Sequence, residues 1–435
     1  MHEDLRRRLR ELGVVRGVHE LATLPPRRRV AIEDLVPGRF YTTSHGQCFV
    51  VEATYPPDYR HGALPLSAFL DLSPEIVAQI AQDGALAGVD LQQVCFLDTE
   101  TTGLSGGTGT IAFIVGLGFF AEEGFRLCQY FLRDPGDEPA MIEALAEHLL
   151  QFEALVSFNG RAFDVPILEN RFILARIPPP TVGVPHLDLL HPARRLWHYR
   201  LPSCALSALE PEVLGVLRAQ DDVPGGVIPY LYRDYLRTGD AREVKRVLYH
   251  NAVDVLSLVT LAARLCRAFA NPWAGAEHEG HEHEGHERDG RNERLGGAEF
   301  FGLGRWYAAE GRLAGAECAY RAALGAALAL DLRAMVLRDL GYLLKRADRR
   351  AEAFGYWQQL ALEARDDVLA HVELAKYFEW HVGNLSLAAG WTRAALARVE
   401  NWPAGTRRDV ALAELYHRLA RLERKMGGGR GQIDA

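Results

Sequence analysis

Asp98 and Glu100 stand two residues apart at the end of an apolar run, Val94 to Leu97, and are followed by threonine and glycine. That pattern predicts a buried strand running into a turn. Residues two apart on a strand leave the same face, so the two carboxylates are neighbours. Neighbouring carboxylates repel, and a divalent cation held by oxygen ligands relieves the repulsion. Strand-end carboxylates facing water or an arginine would be the simpler case.

A cation site needs more donors. Asp164 falls where a helix begins near Ala162, after a strand at Ala154 to Phe158 and the pair Asn159-Gly160. A carboxylate is also favoured there by the helix dipole alone. Asp254 follows His250 by four residues in a long helical stretch, Glu243 to Ala268, so the two share a face. A lone His–Asp pair on a helix is usually a surface hydrogen bond. Here Asp254 is the fourth acidic element of an ordered set.

Asp98, Glu100, Asp164 and Asp254 together match what two-metal phosphodiester hydrolysis requires: two divalent ions about 4 Å apart that clamp the attacking and leaving oxygens. Asp98 would bridge both ions, and Glu100 and Asp254 would complete one site. Asp164 would reach the other, directly or through water. His250, titrating near neutrality, suits the general base. Asn159 and Phe163 would shape the pocket, with Phe163 against a terminal base. Simpler roles are a turn or cap for Asn159 and core for Phe163. Thr101 would offer its hydroxyl or N–H to the substrate. Arg194, Arg195, His198 and Arg200 form a basic cluster that suits phosphates or, equally, an exposed helix face; Arg195 is the substrate-binding candidate taken from it.

The elements that must position these residues read in order. Residues 36–55 predict a hairpin around His45-Gly46, and Pro74 to Gln82 a helix. Ile111 to Phe120 and Phe125 to Leu132 form a meander with the Asp98 strand. Glu138 to Phe152 has helical periodicity, and His186 to Leu190 a short strand. The glycine-rich stretch 103–109 lacks the Lys-Ser/Thr ending of a P-loop and is a turn beside the carboxylates. Residues 275–295, rich in His, Glu and Gly, read as linker, although such a tract binds transition metals weakly.

Beyond the linker, Leu303-Gly304-x-x-Tyr307 precedes Ala316, Tyr320 and Ala323, and Leu340-Gly341-x-x-Leu344 precedes Ala353 and Trp357. Leu374-Ala375-x-x-Phe378 repeats the pattern less regularly. The spacing is near the roughly 34 residues of a tetratricopeptide repeat. A generic helical bundle is the simpler reading. Residues 409–424 would form a capping helix.

The chain has 435 residues and a net charge of −8, so no global field draws in nucleic acid. Binding would need a local basic patch or metal ions. Six scattered cysteines without a CxxC pair fit a reducing cytoplasm. Residues 1–13 are charged and lack a following signal-peptide h-region, and no run approaches the roughly 20 apolar residues of a membrane span.

The stretches FLDTETTGL, VSFNGRAFDVPIL and YHNAVDVLSL resemble the DEDD superfamily of 3′–5′ exonucleases, whose core is ribonuclease H-like. With TTSHGQCFVVEATYP, SGGTGTIAFIVGLG and DDVPGGVIPYLYRDYL, the chain more closely resembles YprB-type ribonuclease H-like proteins. The resemblance implies a Mg²⁺- or Mn²⁺-dependent nuclease. It departs from the superfamily at the base, which is a His five residues before the last Asp or a Tyr four before it; here Tyr249 is at minus five and His250 at minus four. His250 remains the first choice, and Tyr249 is either core or orients the water.

The expected architecture is an α/β ribonuclease H-like domain, a mixed central sheet flanked by helices, followed by an all-α tetratricopeptide-like repeat domain. The expected divisions are an N-terminal extension with the hairpin (1–90), the exonuclease domain (91–270), the linker (271–295), the repeats (296–425) and a tail (426–435). The expected function is two-metal hydrolysis of DNA or RNA, with the repeats recruiting a protein partner. The alternative is a non-catalytic nucleic-acid-binding or adaptor protein working through the repeats.

Overall fold

The computed structural model describes residues 29–103, 109–220, 222–274, 294–364 and 367–428. Residues 1–28, residues 104–108 of the glycine-rich stretch, linker residues 275–293 and tail residues 429–435 lie outside the described residues.

A seven-stranded sheet carries β1 (Gly38–Thr43), β2 (Gly46–Tyr55), β5 (Val94–Thr101), β6 (Ala112–Ala121), β7 (Gly124–Phe131), β8 (Ala154–Ser157) and β9 (His186–Asp188). The order across it is β1-β2-β7-β6-β5-β8-β9. The two-residue strands β3 (Arg60–His61) and β4 (Leu64–Pro65) pair separately. The first hairpin turns at Ser44-His45, as its sequence predicts, and its second strand extends the β5–β6–β7 meander antiparallel to β7. β8 joins β5 on the other side in parallel, and β9 joins β8 in parallel. The sheet is therefore mixed, and β5 is interior to it.

Alternation along β5 sorts its side chains between two cores. Val94 and Phe96 pack in one apolar cluster with Val255, Leu258 and Leu261 of a 29-residue helix, α7 (Arg242–Ala270). Cys95 and Leu97 pack in the other with α2 (Glu138–Leu149) and α3 (Asp164–Leu174). The short helices α1 (Pro74–Ala81), α4 (Leu190–Trp197), α5 (Leu206–Leu209) and α6 (Ile228–Thr238) complete this part. Helix α1 begins under a Ser73 cap that accepts the Ile76 N–H, with Pro74 at its first position. A π-helical stretch, Glu210–Leu214, follows α5.

Two glycines set how closely α7 approaches the sheet. Gly116 pairs with Asp98 and Gly118 with Phe96. A Cβ on Gly116 would lie 2.4 Å from Asn251 Oδ1, and one on Gly118 would lie 2.6 Å from Val255 Cγ1. With neither present, α7 rests almost on the β6 backbone, and its Asn251 can reach β5.

Among the described residues, seven helices follow. They are α8 (Gly297–Ala309), α9 (Leu313–Gly325), α10 (Leu330–Arg346), α11 (Arg350–Glu363), α12 (Val368–Tyr377), α13 (Leu385–Val399) and α14 (Thr406–Gly428). Successive helices pack as hairpins, and the small–aromatic pairs read from the sequence meet: Gly304 lies against Tyr320 and Gly341 against Trp357. Helix α14 runs past the expected start of the tail at 426.

This helical region is not strung loosely from the sheet. A Cβ on Gly302 would fall 2.5 Å from the Arg195 carbonyl oxygen, so α8 sits directly on α4. Arg200 pairs with buried Glu299 at 2.8 Å, and one apolar cluster runs from Leu66 through Phe269 to Leu374. No helix among the described residues is long and apolar enough to cross a membrane.

Candidate active site

Period two in β5 sends Asp98 and Glu100 towards α7 and Thr99 towards α3. Asp164 opens α3, and the Thr99 hydroxyl donates to its Oδ1. Asp254 comes from α7, one turn beyond His250. Glu100, His250 and Asp254 each offer a ligand atom, all within 4.8 Å of one another. Glu100 and Asp254 therefore meet beside His250 from elements far apart in the chain, and Asp98 and Asp164 lie close enough for their charges to act on the same cluster.

Their electrostatics record the crowding. Burial, then the charges of Asp254, Glu100 and Asp164, push the Asp98 carboxyl well above the usual range, against an opposing hydrogen bond from Asn251. Burial and the charges of Asp254 and Asp164 raise Glu100 in the same way. Asp164 is pushed up to about 6 by burial, with the Thr99 hydroxyl opposing. Asp254 is raised by burial despite Arg218 and His250 beside it.

One oxygen of each aspartate is already held by the protein. Asn251 Nδ2 donates to Asp98 Oδ2 at 2.8 Å, Thr99 holds Asp164 Oδ1, and Arg218 Nη2 holds Asp254 Oδ1. The Asn251 amide is fixed in turn, since its Oδ1 accepts from Gln129 at 2.8 Å. A buried set of hard oxygen donors, oriented from behind and short of positive charge, fits a divalent cation. Asp98, Glu100, Asp164 and Asp254 would hold it, with His250 within reach.

His250 Nε2 faces Asp254 Oδ2 at 3.6 Å, while its Nδ1 lies 3.0 Å from Asp222 Oδ1 and 2.9 Å from Arg218 Nη1. Tyr249 points elsewhere: its hydroxyl accepts the Ala219 N–H at 3.0 Å.

Asp98 and Asp254 open into a cleft of about 780 Å³, lined also by Phe158, Asn159, Arg194 and His198 among others. Asn159 adopts a left-handed backbone, φ 66°, and its N–H donates to Asp188 Oδ1 at 2.8 Å. Asp188 also accepts from the N–H groups of Arg161 and Leu190, which anchors the turn ahead of Asp164. Gly160 must be glycine, because a Cβ there would lie 2.2 Å from Ser157 Oγ.

Three sequence expectations need correction. Arg195 does not line the cleft: its guanidinium bonds Gln82 at 2.9 Å and lies over Trp306, while Arg194, one residue earlier, faces the opening. Phe163 packs half-buried against the apolar cluster under α3, and the aromatic lining the cleft is Phe158. The Thr101 hydroxyl donates to the Gly103 carbonyl at 2.8 Å, so it is engaged by its own turn. Asn251, Asp188, Asp222, Glu210 and Arg218 were not expected. Asn251 had a signal in its place one turn from the sheet-facing Val255. Asp222 falls in the DDVPGGVIPYLYRDYL stretch, whereas Arg218, just before it, had no signal.

A mixed sheet with acidic residues on an interior strand and on flanking helices defines a class. The family described as RNase_H superfamily (RNase_H_2) matches residues 95–266, and the protein is RNase H-like. The chain belongs to the YprB family: it is 30% identical over 389 residues to the uncharacterized protein YprB of Bacillus subtilis (strain 168), covering 87% of this chain and 86% of that protein. Among solved structures, the family B DNA polymerase from the hyperthermophilic archaeon Pyrobaculum calidifontis aligns at 16% identity and a TM-score of 0.31. The alignment covers 50% of this chain and 29% of the polymerase.

Proposed function

We propose that this protein is a divalent-metal-dependent nuclease, a 3′–5′ exonuclease that hydrolyses phosphodiester bonds of DNA or RNA. The convergence of Asp98, Glu100, Asp164 and Asp254 from β5, α3 and α7 carries the reading. Bound by these carboxylates, a pair of Mg²⁺ or Mn²⁺ ions would supply Lewis acidity and an ionised water. His250 Nε2 accepts the proton of the attacking water, with Asp222 behind Nδ1. Arg194 and His198 take backbone phosphates at the cleft mouth. Phe158 offers a face to a base, and Asn159 borders the same space. The helical hairpins, read as tetratricopeptide-like repeats, bind a protein partner. The six cysteines are unpaired, which fits a cytoplasmic setting.

One observation favours the non-catalytic alternative: Arg218 already meets part of the negative charge at Asp254. The two readings separate on a panel of end-labelled single- and double-stranded DNA and RNA with Mg²⁺ or Mn²⁺. Metal-dependent shortening from the 3′ end, lost in Asp98→Asn, supports the nuclease. Binding of the same strands without cleavage supports the alternative.

A further inference from the structure

Arg218 lies on a loop between the π-helical stretch and α6 and brings its guanidinium into the carboxylate cluster. All three of its nitrogens are engaged. Nε and Nη2 donate to Glu210 at 2.5 and 2.7 Å, and Nη2 also donates to Asp254. Nη1 donates to Asp222 Oδ2 at 3.2 Å.

The partner behind it is built in. Glu210 is 1% exposed and is held by the buried Ser257 hydroxyl at 2.8 Å, which in turn meets His61 Nε2 at 2.8 Å. Val216 N–H bonds the Glu210 carbonyl and Ala219 N–H bonds Tyr249, so the loop is moored on both sides of Arg218. A planar fork spanning two carboxylates is arginine's geometry, and lysine cannot reproduce it.

We propose that Arg218 is the internal counter-ion of Asp254, a tethered cation with which a divalent ion must compete for that carboxylate. The inference rests on the metal-site reading above. Without a divalent ion, the guanidinium holds Asp254 in place beside Glu100. With one, Asp254 is shared or surrendered, while Glu210 and Asp222 retain the guanidinium beside the site. Arg218 thus lowers metal affinity in exchange for a centre that stays assembled when empty. A part that merely braced the fold would have the opposite effect on affinity.

The test is a calorimetric Mn²⁺ titration of the full chain. Arg218→Gln is expected to bind Mn²⁺ about tenfold more tightly than wild type, because a positive charge has left the neighbourhood of a cation site. Arg218→Lys, which keeps the charge but not the fork, is expected to bind with an affinity between those of wild type and Arg218→Gln. Since Arg218→Gln strands buried Glu210, the same comparison is made between Glu210→Gln and Glu210→Gln/Arg218→Gln. Equal or weaker binding after loss of the arginine, in variants with wild-type circular dichroism, overturns the proposal, as does a lysine variant that binds as tightly as the glutamine one. If neither wild type nor any variant binds Mn²⁺, the metal-site reading itself fails and this inference falls with it. Binding that is intact in wild type but unmoved by these substitutions removes Arg218 alone.

Discussion

Asn251 donates its side-chain amide to Asp98 Oδ2 at 2.8 Å, across 153 residues of sequence, because Gly116 leaves the space between them open. A helix thereby fixes a strand carboxylate through a residue with no charge of its own. The same amide also lies 3.3 Å from the Asp98 carbonyl oxygen.

Adding one methyl group tests that relationship. In Gly116→Ala the new Cβ would stand 2.4 Å from Asn251 Oδ1 and 3.0 Å from Val255 Cγ2. Overpacking of this kind costs about 1–3 kcal/mol. The expected result is a lower melting temperature together with weaker Mn²⁺ binding. A variant unchanged in both would contradict the role given to the glycine.

Asp164 contributes one part of the pH dependence of metal-free stability. Its carboxyl is pushed up to about 6 from an ordinary value near 3.8. Below the lower value both folded and unfolded chains carry the proton, so the group costs nothing. As pH rises between the two values, only the unfolded chain releases it, and folding loses stability, to a total on the order of 3 kcal/mol. Above about 6 the loss is complete and constant. Asp164→Asn should gain on wild type across that window in chemical denaturation with chelator present. Parallel curves would show that Asp164 is not held this way.

In the proposed nuclease His250 is the base, with Nε2 towards the cluster and Nδ1 against Asp222. His250→Gln should lower turnover about 100-fold or more, the usual scale of general base catalysis. Mn²⁺ affinity should change by less than about tenfold, or ~1.4 kcal/mol. A collapse of affinity matching the loss of turnover would place the imidazole among the metal's ligands instead.

Much of this site is written in short-range pattern. The apolar run into Asp98-Thr99-Glu100 gives a strand whose period alone puts two carboxylates on one face. The i, i+4 spacing of His250 and Asp254 gives a shared helix face. Arg194 faces the cleft and Arg195 does not, because neighbours on a helix point about 100° apart, and a cluster of three arginines does not declare which one faces inward. Phe158 and Phe163 both flank the turn at Asn159, and only the packing of α3 decides that Phe163 joins the apolar cluster while Phe158 lines the cleft. Arg218 and Asp222 sit in a loop without periodicity, so nothing local marks them as neighbours of α7. The close seating of α8 on α4 through Gly302 was equally invisible, since a glycine in a helix does not name the backbone it approaches.

The central claim is that Asp98, Glu100, Asp164 and Asp254 hold divalent cations together. It is tested most directly by titrating Mn²⁺ into the chelator-treated full chain by calorimetry, for wild type and Asp98→Asn side by side. Saturable binding in wild type that disappears in a folded Asp98→Asn is the result expected. Wild-type protein that takes up no Mn²⁺, or an Asp98→Asn protein that binds it just as well, would contradict the account.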